Sequence, residues 1–227
     1  PYTTLFRSGL PRADGLPGWG RILPAFAWGA IVTPILAIAA ELIAAIGAIV
    51  AAVLGFTLQG QAYTDIVAAT WQRLQGRTLT DPQTEALFRI IAAQPIVLLI
   101  GGFILVFVAP AAEELCKFGA ALLFGRTRAD RPDRDTTLTV FLIGLASGLG
   151  FAATENIFYA AQGGASGWTP VILTRAVTPL MHGLASALFA LGWAQQRRAP
   201  HGWALLRGAL LALGLHAAWN FCGGLLI

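Results

Sequence analysis

The chain has 227 residues, enough for one or two soluble domains, but its composition excludes a soluble protein. Hydrophobic residues make up 56% of it and charged residues only 11%, against roughly 25% charged residues in an average globular protein. Too few charges remain to build a surface that faces water. The net charge of +4 comes from basic residues in short loops beside apolar runs, which indicates membrane orientation and not a nucleic-acid partner. We therefore expect an all-α, polytopic membrane helix bundle in the lipid bilayer.

The composition divides the chain into a short polar start and one long hydrophobic part. The first nine residues, PYTTLFRSG, resemble neither a good helix nor the apolar region of a signal peptide, and we expect an N-terminal tail over residues 1–24. The sequence opens at Pro1 without an initiator Met, so we expect this end to be processed or truncated. Residues 25–227 are expected to form a single transmembrane helical domain, with the informative motifs from about residue 105 onward.

The first apolar run covers residues 25–58 and is longer than one untilted span of about 20 residues. Pro34 provides a place for a kink, so the run is one long or broken helix, or two spans. Residues 59–88 carry Tyr63 and Trp71 with apolar residues at helical spacing, which predicts an amphipathic helix at the membrane interface.

Further apolar runs complete the predicted bundle. They cover residues 90–124, interrupted by Pro110, and then 138–161, 170–195 and 203–226. The arginine-rich segments 125–135 and 195–202 are expected to be cytoplasmic loops, and the uncharged loop 162–169 is expected outside. The sequence therefore predicts five spans, or six if the first run is divided, besides the interfacial helix.

Three charged residues lie together in the second half of the run at 90–124. A charge at the centre of a bilayer costs about 2.5–3.5 kcal/mol, so each needs a partner or a function. Lys117 follows Glu113 by four residues and Glu114 by three, and on a helix it can neutralise one of them. Because two carboxylates do not both ionise freely at low dielectric, the other is suited to general acid–base chemistry.

The later spans also carry polar or aromatic groups in helical register. These are Phe151, Glu155 and Asn156, then Arg175 with His182, and finally His216 with Asn220. A lone histidine in an apolar helix is usually a packing residue. Here several spans each contribute such groups in addition to the acid pair, and this combination predicts a site assembled from facing helices.

Four stretches of the sequence resemble the PrsW family of intramembrane proteases, which belongs with the CAAX prenyl endopeptidases and the CPBP proteins in one superfamily. They read APAAEELCKFG at 109–119, GLGFAATENIFYAA at 148–161, RAVTPLMHGLASALFALG at 175–192 and LHAAWNF at 215–221. Where the CAAX endopeptidases have F-x-x-x-H, this chain has Phe151-x-x-x-Glu155. That form is similar to PrsW and argues against prenyl-protein processing.

The resemblance implies a multi-pass protease of the bacterial cell membrane whose substrate is a membrane-anchored protein such as an anti-sigma factor. The positions that match the family's catalytic residues are Glu113, Glu114, His182, His216 and Asn220. We expect supporting roles for Lys117, Phe151, Glu155, Asn156 and Arg175.

Two mechanisms are consistent with these residues. In the one that the sequence favours, no metal is used: Glu113 takes a proton from a water held by His182 or His216, and Asn220 donates to the oxyanion. In the other, zinc is bound by members of the set Glu113, Glu114, His182 and His216. No H-E-x-x-H helix is present to decide for a metal, so the cofactor stays open.

A function of another class also fits the composition. A membrane scaffold or a transporter can use the same polar residues to tie helices together or to line a solute path. No inverted repeat relates the two halves of the sequence, which weakens the transporter alternative.

Overall fold

The computed structural model describes residues 18–58, 95–125, 136–162 and 175–224, with isolated positions at 68, 69, 72, 75, 89, 168, 169 and 173. Apart from isolated positions, the predicted interfacial helix at 59–88 lies outside the described residues, as does most of the loop at 125–135. Within the described ranges the chain is helical and contains no strand, which confirms the all-α class.

Seven α-helices and two π-helical turns follow one another in these ranges. They are α1 (Trp19–Ala27), a first π-helical turn (Trp28–Val32), α2 (Thr33–Leu58), α3 (Pro95–Phe103), a second π-helical turn (Ile104–Val108), α4 (Ala109–Phe124), α5 (Thr136–Gln162), α6 (Thr178–Arg198) and α7 (Ala204–Gly224).

Four helical runs among the described residues are long and apolar enough to cross a membrane. They are Trp19–Ala51, Pro95–Phe124, Thr137–Gln162 and Ala204–Gly223. Many of their large apolar side chains are exposed, among them Ile43, Leu99 and Leu210. Water-soluble proteins rarely expose apolar surface of this extent, and a bilayer covers it without cost. The protein is therefore a polytopic helical membrane protein, as the composition predicts.

Helix α6 is not among these four runs, although its sequence lies in the run predicted as a span at 170–195. Eleven of its 21 residues are buried, and they include the polar side chains of Thr178, His182 and Ser186. It packs most extensively against α5 and α7. A helix that faces other helices can carry polar groups that would be costly against lipid. Helix α6 is thus the buried element on which a polar site can be built.

The described residues belong to two compact units. One contains the described residues up to Ala37 and from Ala111 onward, and the other contains those between Ile38 and Pro110. The core of the first unit is made mainly of small side chains, and one of its clusters combines Ala25, Ala120 and Ala146 with Ile143. Small residues let helix backbones approach closely in a membrane, where helix association depends on packing.

Two glycines of α5, Gly144 and Gly148, face α6. A Cβ atom on Gly148 would collide with the backbone carbonyl of His182, and one on Gly144 would lie 2.5 Å from the carbonyl oxygen of Ser186. Both positions therefore require glycine for the observed approach of the two backbones. The helix that approaches α5 this closely is the one that carries His182.

The first π-helical turn ends two residues before Pro34. Proline has no N–H, so Pro34 cannot donate to the carbonyl of Ala30 four residues earlier, and its ring crowds that carbonyl. The hydroxyl of Thr154 on α5 donates to this oxygen at 2.7 Å. A neighbouring helix thus replaces the hydrogen bond that proline removes, as is common for proline in membrane helices. The second π-helical turn likewise ends two residues before a proline, Pro110.

Candidate active site

Helix α4 brings two carboxylates and one ammonium group together. Nζ of Lys117 donates to Oε2 of Glu113 at 3.1 Å and to Oε1 of Glu114 at 2.8 Å. These contacts follow from the i, i+4 and i, i+3 spacing on one helix. Lys117 therefore contacts both carboxylates, whereas the sequence predicted that it neutralises one of them.

His182 on α6 lies between this group and Glu155 on α5. Its Nδ1 is 2.8 Å from Nζ of Lys117, and its Nε2 is 2.9 Å from Oε2 of Glu155. An ammonium group can only donate, so Nδ1 accepts and the ring proton is on Nε2, which donates to Glu155. Two neighbours therefore define both the tautomer and the orientation of His182.

Arg175 extends the same network beyond Glu155. Its guanidinium group donates to Oε2 of Glu155 at 2.6 Å and to Oδ1 of Asn156 at 2.9 Å. It also lies 3.9 Å from the ring centroid of Tyr159, in a cation–π contact. Arg175 thus balances the charge of Glu155 at the same oxygen that His182 contacts.

His216 on α7 approaches the acid pair from another direction. Its Nδ1 is 2.9 Å from Oε1 of Glu114, and its Nε2 is 3.7 Å from Oε2 of Glu113. Because Glu114 also accepts from Lys117 at Oε1 and from Ser186 at Oε2, both of its oxygens are occupied. The rings of His182 and His216 meet edge to face, with centroids 4.7 Å apart.

Burial separates the two glutamates. Glu114 is fully buried, whereas Glu113 keeps 7% of its surface exposed. Lys117, His182 and His216 are each at most 1% exposed. Glu113 is therefore the member of this group that water reaches most readily.

Phe151 forms one apolar wall of the site. Its ring centroid lies 4.1 Å from Nζ of Lys117 and 5.1 Å from that of His182. An aromatic face attracts a cation electrostatically, so Phe151 stabilises the ammonium group while it excludes water from it.

The donor atoms fit a metal ion. One ligand atom each from Glu113, His182 and His216 lie within 4.8 Å of one another. A tetrahedral zinc ion with bonds of about 2.0–2.2 Å has ligand atoms about 3.3–3.6 Å apart, close to the 3.7 Å and 3.9 Å that separate Oε2 of Glu113 from the two imidazoles. One carboxylate with two imidazoles is also a donor set of catalytic zinc.

Nearly all of the residues predicted for the site belong to this network. It contains Glu113, Glu114, Lys117, Phe151, Glu155, Asn156, Arg175, His182 and His216. Asn220 lies one helical turn beyond His216 on α7 and is half-buried. Ser186 is absent from the predicted set, although its position one turn after His182 on the same helix was a usable signal.

Comparison with known proteins gives a family for this chain. The family model described as "PrsW family intramembrane metalloprotease" matches residues 17–226, which include every residue of the network. No curated protein and no solved structure matches the chain. On the strength of that nearly full-length match, the chain belongs to the PrsW family of intramembrane metalloproteases.

Proposed function

We propose that this chain hydrolyses a peptide bond in or beside the membrane span of another protein, and that Glu113, His182 and His216 bind one divalent metal ion. The observation that carries the metal assignment is that each histidine is paired with a carboxylate, His182 with Glu155 and His216 with Glu114. Metal-binding histidines almost always donate their second ring N–H to such a partner. In both rings the remaining nitrogen then lies on the side of Glu113.

The residues of the network have different roles in this proposal. A divalent ion such as zinc, when bound here, supplies Lewis acidity to the attacking water and the scissile carbonyl. Glu113 is the more exposed carboxylate of the α4 pair, and its contacts in the described part of the chain are made by Oε2. We assign to its other oxygen the transfer of the water's proton to the leaving amine.

Glu114 and Asn220 have roles that differ from that of Glu113. Both oxygens of Glu114 already accept hydrogen bonds, so Glu114 acts as a positioning residue for His216. The amide of Asn220, one turn beyond His216, is the group to which we assign the hydrogen bond to the oxyanion.

The proposed substrate is a membrane-anchored protein, and the family resemblance suggests an anti-sigma factor in a bacterial cell membrane. Helices long and apolar enough to cross a membrane carry most of the site, which supports a substrate held in the same bilayer. A protein held in the same membrane reaches such a site without leaving the lipid.

A cleavage assay tests the proposed hydrolysis. The full chain is reconstituted in liposomes with a fluorescent single-span reporter, and the wild type is compared with Glu113→Gln, His182→Ala and His216→Ala. Loss of an acid–base residue costs about 10²–10⁴-fold, so we expect each variant to lose at least that much rate. His201, exposed in the turn between α6 and α7, gives a matched control, and His201→Ala should cleave like the wild type. Cleavage of the reporter at wild-type rates by all three variants would refute the assignment.

Metal content separates the two mechanisms. We expect the purified protein to bind one equivalent of zinc, His182→Ala and His216→Ala to lose it, and a chelator to stop cleavage reversibly. If the wild type cleaves at full rate in the chelator and holds no metal, Glu113 acts directly on a water held by the histidines. The metal assignment is then wrong and the hydrolase assignment stands.

A further inference from the structure

Lys117 contacts two of the three residues proposed to bind the metal, Glu113 and His182. Its Nζ lies 3.1 Å from Oε2 of Glu113, 2.8 Å from Oε1 of Glu114 and 2.8 Å from Nδ1 of His182, and the residue is fully buried. An ammonium group has three hydrogens and no lone pair. These three contacts therefore use every donor that Lys117 has.

Lys117 is also the only lysine of the chain, whose fourteen other basic residues are all arginine. A lysine ammonium is a compact point charge, whereas a guanidinium is a planar fork of five N–H groups. Only the compact group can be surrounded by three acceptors in the manner of a spherical cation. The site therefore holds the one basic side chain of this chain that can imitate a metal ion.

The contact with His182 excludes simultaneous metal binding by that residue. A neutral imidazole has one nitrogen with a lone pair, and in His182 this is Nδ1, because Nε2 donates to Glu155. The same lone pair cannot accept from Lys117 and bind a metal ion at once. Lys117 and a metal held by His182 are consequently alternatives.

We propose that Lys117 is an internal cation that holds the ligands together in the metal-free protein and moves away from His182 when a divalent metal binds. This proposal rests on the metal site of the proposed function. The ammonium group has a place to remain while it does so. It contacts Glu114, which is not a member of the three-residue ligand group, and the face of Phe151. It can therefore leave His182 and Glu113 while it stays buried.

The exchange has two measurable consequences. A metal can bind only to the fraction of molecules in which Lys117 has left His182. The apparent metal affinity falls in proportion to that fraction, so Lys117 weakens metal binding. Without Lys117, the carboxylates of Glu113 and Glu114 lose their common cation in the metal-free state. Without Lys117, the metal-free protein therefore becomes less stable to unfolding, and metal binding raises its stability by more than it does in the wild type.

The test measures zinc affinity and thermal stability of the full chain in detergent, with a chromophoric chelator as competitor. Because charge-assisted hydrogen bonds no longer have to be broken, Lys117→Met should bind zinc about 10–100-fold more tightly than the wild type. Its melting temperature should be lower without zinc and should rise more when zinc is added. Equal or weaker zinc binding by Lys117→Met, with intact binding by the wild type, would overturn the inference and leave the proposed function standing.

A second measurement needs no variant of Lys117. Protein labelled with ¹³C at the ε carbon of lysine gives one lysine signal, because the chain has one lysine. Zinc should move this signal in the wild type and leave it in place in His216→Ala, which lacks a ligand. An unmoved signal in wild-type protein that has bound one zinc ion refutes the exchange. Failure of the wild type to bind zinc at all refutes both the exchange and the metal assignment, and the cleavage assay then decides whether hydrolysis remains.

Discussion

The hydroxyl of Ser186 donates to Oε2 of Glu114 at 2.8 Å, and the two side chains are at most 1% exposed. Helix α6 thus contributes two groups to the network one turn apart, since His182 lies on the same helix. The bond holds Glu114 from the side opposite Lys117 and His216, which both contact Oε1. Three helices therefore determine where one carboxylate points.

Ser186→Ala should lower the free energy of unfolding by about 1.5–3 kcal/mol, since the bond it removes is made to a charged group. Ser147 supplies a matched control, because it is equally buried and its hydroxyl donates at 3.0 Å to the neutral carbonyl of Lys117. We expect Ser147→Ala to cost only about 0.5–1.5 kcal/mol. Unfolding of both variants in mixed detergent measures the difference, and a larger cost for Ser147→Ala would contradict this reading of Glu114.

Glu155→Gln should weaken zinc binding about 10–100-fold, the usual effect of losing the carboxylate partner of a metal-binding histidine. The reason is that Oε2 of Glu155 orients His182 through its Nε2. His201→Ala is the control, because His201 is exposed in the turn between α6 and α7, outside the network. Zinc competition titrations compare the two, and the same affinity in Glu155→Gln as in the wild type would show that Glu155 does not position His182.

Thr154→Val should destabilise the protein by about 0.5–1.5 kcal/mol, because it removes the hydrogen bond that the Thr154 hydroxyl donates to the partly buried carbonyl of Ala30. The destabilisation by Thr154→Val should depend on the presence of Pro34. In a Pro34→Ala background the helix regains an N–H for this carbonyl, and the same valine substitution should cost clearly less. A double-mutant cycle of thermal unfolding measures the coupling, and equal costs in both backgrounds would disprove the link between the hydroxyl and Pro34.

Gly148→Ala should destabilise the protein by about 1–3 kcal/mol and reduce cleavage, because its Cβ would collide with the backbone of His182. The backbones of α5 and α6 would have to separate, which moves His182 away from Glu155. Gly101 in α3 has nothing within 4 Å of an added Cβ, so Gly101→Ala is the control. We expect that variant to gain about 0.5–1 kcal/mol from its higher helix propensity. Unaltered stability and cleavage in Gly148→Ala would argue against close contact of α5 and α6 at the site.

Helical spacing was sufficient to predict contacts within one helix. Lys117 meets Glu113 and Glu114 because residues three and four apart share a helix face, whatever surrounds them. Composition in the same way predicted the all-α membrane class, and the motif order predicted the family. Each of these inferences uses only local features of the sequence, namely residue spacing, composition and motif order, and none requires the positions of the helices relative to one another.

Contacts between helices could not be predicted in the same way. The pairing of His182 with Glu155, and not with another carboxylate, depends on the rotation and depth of α5 relative to α6. Periodicity within a helix does not determine either quantity. The contact of Lys117 with His182 and that of Ser186 with Glu114 were missed for this reason. Catalytic roles within the network stay predictions until the variants are measured.

The order of the network along the chain bears on how such an enzyme is made. The two glutamates come from α4, whereas the imidazoles come from α6 and α7, which follow α4 along the chain. A ribosome delivers the acids well before it delivers His216, and domains generally fold in the order of synthesis. A nascent chain that has not yet reached α7 therefore lacks one of the two imidazoles of the candidate site. The candidate site is therefore complete only when α7 has packed against α6.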